Sequence, residues 1–309
     1  MDIIQSVLNG DKRSIAKLIT LVEEKSDDAT KILKTIYKYT GRARTIGITG
    51  APGSGKSSLV NKLTHILREK NKKVGIIAVD PTSPFTGGAI LGDRIRMQDL
   101  TLDEGVFIRS MGTRGALGGL SRACYDAVKV LDASGMDYII IETVGVGQSE
   151  IDIVKLADIV LLVMVPGMGD DVQAIKAGIM EIGDIFVVNK SDKDGADRLV
   201  TEIEMTLDLS PHKNSWKPPV IKTIATETYG IVELSENIEK VWNHMTQGNY
   251  LKIKRKNRIR QEIIDLLTET LIKKMMSRYS EKIDALVVKV LERQIDPYSA
   301  MEIIISDAK

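Results

Sequence analysis

The chain has 309 residues, 43% hydrophobic and 28% charged, the composition of a globular protein of one or two domains. Its 43 basic and 42 acidic residues leave a net charge of +1, so no global field argues for a nucleic-acid or membrane partner. A single cysteine, Cys124, excludes an internal disulfide framework and suits a reducing cytoplasm, while His65, His212 and His244 are too scattered for metal ligation and read as surface residues.

The opening M-D-I-I-Q-S-V-L-N-G lacks the basic start of a secretory leader, and no apolar run reaches membrane-spanning length, so a cytoplasmic location is expected. Up to about Tyr39 the apolar residues fall at helical spacing: Ile15, Leu18, Ile19 and Val22, then Ile32, Leu33 and Ile36. Gly41, Arg42 and Arg44 mark the passage into a different pattern. From Thr45 strand-like runs alternate with amphipathic helices: Thr45–Thr49, Val74–Val79, Val106–Ile108, Tyr138–Ile141, Ile159–Val165, Ile185–Val188 and Val220–Thr223. Such alternation predicts an α/β fold, a mostly parallel sheet flanked by helices, with ligands at the carboxyl ends of the strands. After Gly248 a basic run, L-K-I-K-R-K-N-R-I-R, leads into a long helical pattern, and a second runs from about Ser280 to Gln294. Pro297 is expected to stop it, with a last short helix over Tyr298–Ser306. The expected organisation is an N-terminal helical extension (1–41), a central nucleotide-binding domain (42–248) and a C-terminal helical arm (249–309). Two amphipathic stretches outside the α/β unit suggest that the arm joins two copies as a homodimer. The basic run reads as a solvated helix face or a docking surface.

The central signal is Gly50, Ala51, Pro52, Gly53, Ser54, Gly55, Lys56 and Ser57, which fits the phosphate-binding loop G-x-x-x-x-G-K-[ST]. A short strand precedes it, and Ser57, Ser58 and the residues to Leu67 read as a helix, so backbone N–H groups and a helix dipole converge on one anion site. Lys56 is placed to reach the β- and γ-phosphates, and the Ser57 hydroxyl to ligate Mg²⁺. A second signal, Asn189-Lys190-Ser191-Asp192, follows the run Ile185–Val188. The Asp192 carboxylate can accept from guanine N1–H and the exocyclic amine, a pair that adenine does not offer. Asn189 would brace the loop, the Lys190 stem would cover the base, and Ile224, Ala225 and Thr226 could present a backbone N–H to guanine O6. GTP and GDP are thus the expected nucleotides.

Three carboxylates stand at strand ends or in nearby loops as candidate Mg²⁺ ligands with Ser57: Asp80, Asp93 and Glu142. Glu142-Thr143-Val144-Gly145 fills the D-x-x-G position with glutamate for aspartate, and the Gly145 N–H could meet the γ-phosphate. No glutamine directly follows that glycine; Gln148 is displaced by two positions, which predicts slow intrinsic hydrolysis. Lys56, Glu142 and Gln148 are the candidate catalytic residues. Arg94, Arg96, Arg109, Arg114 and Arg122 lie in candidate loops where a stabilising cation could arise, or are solvated arginines.

Together the blocks G-I-T-G-A-P-G-S-G-K-S-S, A-V-D-P-T-S, G-G-A-I-L-G-D-R-I-R-M, F-I-R-S-M-G-T-R-G-A-L-G-G-L, E-T-V-G-V-G-Q-S-E and V-V-N-K-S-D resemble the MeaB/ArgK-type GTPases. These are chaperones of methylmalonyl-CoA mutase and related adenosylcobalamin-dependent acyl-CoA mutases. The resemblance implies a P-loop domain of the signal-recognition-particle/MinD class that works as a homodimer. It implies phosphate and Mg²⁺ roles for Lys56 and Ser57, metal-linked roles for Asp80, Asp93 and Glu142, and base reading by Asp192. It also implies that Thr113–Leu120 touches a partner mutase, whose cofactor loading and reactivation the GTPase would gate. Many relatives carry S-A-L where this chain has Ile224-Ala225-Thr226. The alternative functions are a P-loop kinase acting on a transport-related protein or small molecule, and a metal-insertion GTPase, for which the lone Cys124 and isolated histidines supply no cargo cluster.

Overall fold

The computed structural model describes residues 2–80, 97–112, 121–143, 149–167, 179–209 and 216–307. The chain divides into two compact units, Met1–Leu251 and Lys252–Lys309.

In the first unit seven strands form one sheet: β1 (Arg44–Thr49), β2 (Val74–Asp80), β3 (Val106–Gly112), β4 (Tyr138–Glu142), β5 (Ile159–Met164), β6 (Ile185–Asn189) and β7 (Val220–Thr223). Their order is β3-β2-β4-β1-β5-β6-β7, with every neighbouring pair parallel. Both faces are covered, which is why runs such as I-V-L-L-V-M in β5 are apolar throughout. Ile46, Ile48, Ile76 and Ile140 pack on one face against Leu59 and Leu63 of α4 (Lys56–Glu69) and Leu234 and Ile238 of the helix Ile231–Gln247. Ile77, Val79, Ile139 and Ile141 point to the other face, toward Ala127 and Leu131 of the helix Arg122–Ala133.

That second face is completed by the N-terminal helices α1 (Ile3–Leu8), α2 (Lys12–Glu23) and α3 (Asp27–Ile36). Each starts on a short polar cap: Asp2 accepts from the Ile4 N–H, Asp11 from Ser14 and Ser26 from Asp28. Their Val7, Ile15, Leu18, Ile19 and Ile36 are buried in the same cluster as the sheet residues. Each such side chain contributes roughly 1.5–3 kcal/mol, so these helices are integral to the core of the first unit.

The two edges of the sheet differ. At the amino edge, carboxylates cap the entering strands: Asp132 accepts from the Ala43 N–H, Asp158 from Thr45 and Asp184 from Val160. The carboxyl edge carries Thr49, Asp80, Glu142, Asn189 and Thr223 at strand ends. β1 lies between β4 and β5, so the chain leaves adjacent strands in opposite directions beside Gly50, the switch point where parallel sheets bind ligands.

β3 runs to Gly112, beyond the expected end at Ile108, because polar Arg109 and Ser110 pair in register with Ile77 and Ala78 of β2. The helical run Tyr250–Leu291, which enters the second unit at Lys252, is two helices meeting at a kink at Tyr279 (φ −115°, ψ 16°), so the second stretch begins near the expected Ser280. Pro297 does not end that helix. It opens the last one, Pro297–Asp307, where its missing N–H costs nothing and Asp296 accepts from the Tyr298 and Ser299 N–H groups. Leu271, Ile272, Met276, Leu286, Val287 and Met301 line an apolar cleft of about 600 Å³ within this unit.

Candidate functional site

The phosphate loop is fixed by local strain that only glycine accepts and by side chains from elsewhere. Gly50 has φ +141°, and a Cβ there would lie 2.0 Å from the Val163 carbonyl oxygen. Gly55 caps α4 at φ +90°, and a Cβ there would lie 2.3 Å from Asn189 Nδ2. The loop carbonyls, which would repel a phosphate, are drawn onto donors. Lys56 Nζ donates to the Gly50 and Ala51 carbonyls at 2.8 and 3.0 Å. Lys190 Nζ donates to Gly53 O at 2.8 Å, and Asn189 Nδ2 to Ser54 O at 2.7 Å. What remains is a concave loop at the amino end of α4, where the helix dipole favours an anion. Gly50, Ala51, Pro52, Gly53, Ser54 and Gly55 form the turn from β1 into α4, and Lys56, Ser57 and Ser58 are the first residues of that helix.

The residues expected on the base side come from two neighbouring strands. Asn189 ends β6 and is 2% exposed. Besides holding Ser54, its Oδ1 accepts from the Thr223 hydroxyl and the Ala225 N–H, both at 3.1 Å. Lys190 takes a left-handed φ of +56°, and the Ser191 N–H donates to Thr223 O at 3.1 Å. Asp192 lies exposed beyond this turn. The Ala225 N–H, expected to face the base, is bonded to Asn189 Oδ1 in this structure. The Ile224 N–H likewise donates to Tyr229 O at 3.1 Å, leaving Thr226 as the exposed member of the triplet.

On the phosphate side, Ser57 Oγ donates to Glu142 Oε1 at 2.7 Å, and both residues are buried. A hydroxyl and a carboxylate in contact are hard oxygen donors of the kind Mg²⁺ takes, so this pair fits the expected metal site. Asp80 ends β2 in register with Gly112, on the same edge of the sheet. Among the described residues there is no cluster of three or more His, Cys, Asp or Glu placed for a metal. Asp93, Gly145 and Gln148 lie outside the described residues, as do Arg94, Arg96, Arg114, His212 and the segment 113–120.

Two of the candidate loop arginines are corrected. Arg109 lies within β3, where its guanidinium meets the Glu23 carboxylate and donates to Thr20 Oγ1 at 3.0 Å. Arg122 opens the helix Arg122–Ala133 and pairs with Asp126 at 3.4 Å. Both are bound within secondary structure, so neither is placed as a mobile cation. His244 is also more than a surface residue, since its ring stacks on Trp216 with centroids 4.3 Å apart. Sequence reasoning passed over Thr49 and Thr143, whose hydroxyls meet at 3.0 Å at the ends of β1 and β4. The available signal was a polar residue closing each of two apolar strands.

The family described as methylmalonyl-CoA mutase-associated GTPase MeaB matches residues 15–280. A GTPase-named protein of Pyrococcus horikoshii is 52% identical over 307 residues, covering 98% of this chain and 96% of that protein. GTPase ArgK of Escherichia coli is 38% identical, covering 75% and 72%, and the mitochondrial methylmalonic aciduria type A homolog of Caenorhabditis elegans is 35% identical, covering 84% and 70%. The crystal structure of a LAO/AO transport system kinase superposes with a TM-score of 0.76 at 25% identity, over 99% of this chain and 96% of that one. The strand order, the strained glycine loop braced by Asn189 and Lys190, and these matches agree: the chain is a P-loop GTPase and belongs to the MeaB family.

Proposed function

We propose that this GTPase is a switch for an adenosylcobalamin-dependent acyl-CoA mutase of the methylmalonyl-CoA type, gating cofactor loading and the release of damaged cofactor. The observation that carries this reading is the family match over residues 15–280, since the family is described by its association with that mutase. The geometry supports a switch. Glu142, at the end of β4, bonds directly to Ser57 on the phosphate-loop helix, so occupancy of the loop reaches the segment that begins at Thr143.

Ser57 and Glu142 would hold Mg²⁺, with Asp80 and Asp93 as further acids; the ion would neutralise charge on the β- and γ-phosphate oxygens. Lys56 would exchange the Gly50 and Ala51 carbonyls for phosphate oxygens. Asp192 would read guanine, while Asn189 and Lys190 tie the base loop to the phosphate loop. Thr113–Leu120 would meet the mutase. The C-terminal arm would join two copies, a reading supported by apolar side chains left exposed there, among them Ile263, Leu267, Leu271 and Ile272.

A pull-down from the native host, with Lys56→Ala as control, is expected to retain a cobalamin enzyme only with the wild-type chain and guanine nucleotide. Recovery of no such enzyme under any nucleotide sinks the proposal. Light scattering of a chain ending at Gly248 is expected to give the mass of one such chain; the mass of two counts against the arm as the dimer contact.

A further inference from the structure

Thr49 is the last residue of β1 and Thr143 the first beyond β4; they are 0% and 1% exposed. The Thr143 N–H donates to Ile48 O at 3.1 Å, which extends the β1–β4 ladder by one step, and its hydroxyl donates to Thr49 Oγ1 at 3.0 Å. Thr49 leads directly into Gly50 and the phosphate loop. Thr143 is the second residue of the E-T-V-G stretch that fills the switch position. A second cross-link spans the same two regions, from Ser57 on α4 to Glu142. Its members are candidate Mg²⁺ ligands and as such would change partners when nucleotide and ion enter. The Thr49 and Thr143 hydroxyls are instead bonded to each other.

We propose that Thr49 and Thr143 are positioning residues for GTP hydrolysis. Their buried hydroxyl pair fixes the register between the phosphate loop and the start of the switch segment while Ser57 and Glu142 rearrange. Without it, the contact between the end of β1 and Thr143 would rest on the ladder bond from the Thr143 N–H, and the spacing between the phosphate loop and Glu142 would be less closely fixed. A displacement of about 1 Å there suffices to slow chemistry severely, with little effect on nucleotide held by the loop and the base turn. This inference needs only the GTPase activity of the family and is independent of the mutase proposal.

The test is intrinsic hydrolysis and GDP affinity of the full-length chain with Thr49→Val, Thr143→Val, both together, and Thr→Ser at each position. Valine keeps the shape and removes the hydroxyl. Each single valine variant is expected to lower kcat about tenfold, the scale of one buried hydrogen bond, with KM and GDP Kd changed by less than about twofold. The double variant is expected to be no slower than the worse single, and serine at either position to recover kcat to within about twofold. If a single valine variant does not fold, the double, which leaves no hydroxyl unpaired, decides the matter. A wild-type kcat in the valine variants, an equal loss in GDP affinity, or serine variants as slow as valine would each overturn the proposal.

Discussion

Asn189 Nδ2 donates to the Ser54 carbonyl at 2.7 Å while its Oδ1 accepts from the Ala225 N–H, so one buried side chain joins the phosphate loop to both base-side turns. The phosphate loop and these two turns are therefore mechanically coupled. Asn189→Ala strands the Ser54 carbonyl and the Ala225 N–H together. It is expected to destabilise the fold by about 2–4 kcal/mol and to weaken GTP and GDP alike. Chemical denaturation with calorimetry on the same sample checks this, and a variant that loses nucleotide affinity at unchanged stability contradicts the bracing role.

Asp192 stands exposed beyond that turn, open to a ligand. Asp192→Asn replaces a carboxylate that accepts two hydrogen bonds with an amide that can donate one. GTP affinity is expected to fall about a hundredfold, the loss of charge-assisted bonds, while affinity for the xanthine nucleotide, with a carbonyl at C2, rises. Competition binding with GTP and XTP measures the exchange. Equal weakening toward both would remove Asp192 as the reader of the base.

Local, contiguous signals were legible in the sequence. The glycine spacing of 50–57, the apolar strands and the N-K-S-D turn each depend on neighbours a few residues away. Contacts across long separations were not. Arg109 looks like a loop cation until Glu23, from the N-terminal helices, is seen against it. The Ala225 N–H looks available until Asn189, from another strand, is found accepting it. Pro297 reads as a breaker because local rules give it two meanings, stop and first residue, and only the Asp296 cap decides between them.

The contact between Ser57 and Glu142 makes a statement about metal dependence. Glu142→Gln keeps the shape and removes the charge that would face Mg²⁺. In the wild-type chain, chelating magnesium is expected to weaken GTP about tenfold or more; in the variant, by no more than about threefold. Titration with and without chelator reads the difference directly. A Glu142→Gln chain with undiminished magnesium dependence would show that the ion is held elsewhere.

Cys124 sits wholly buried on the helix Arg122–Ala133, with its sulfur 3.4 Å from Ser121 Oγ. Burial pushes its thiol up to about 11 despite that contact, so almost no thiolate exists near neutrality. The native protein is expected to resist thiol reagents at pH 8 and to react fully once denatured. Rapid native labelling would mean that the helix opens from the sheet far more readily than its packing implies.

At the opposite edge of the sheet, Glu239 accepts from Arg44 Nη1 at 2.6 Å and from the Tyr138 hydroxyl at 2.5 Å, while the Arg44 guanidinium lies 4.7 Å from the Trp242 ring. Burial pushes the Glu239 carboxyl up, but the bonds from Arg44 and Tyr138 outweigh it and hold the group below its ordinary value of 4.5. A carboxyl that binds its proton less readily when folded contributes stability above that ordinary value and loses it as pH falls through the folded one. The site is partly open to solvent, so screening keeps the contribution to about 1 kcal/mol or less. Glu239→Gln is accordingly expected to melt slightly below wild type at pH 7 and to converge with it as pH falls below the ordinary carboxylate value of 4.5. Thermal melts across that range decide the point: parallel curves would mean that the Arg44–Glu239–Tyr138 cluster clamps the helix Ile231–Gln247 through packing alone, with no contribution from its charge.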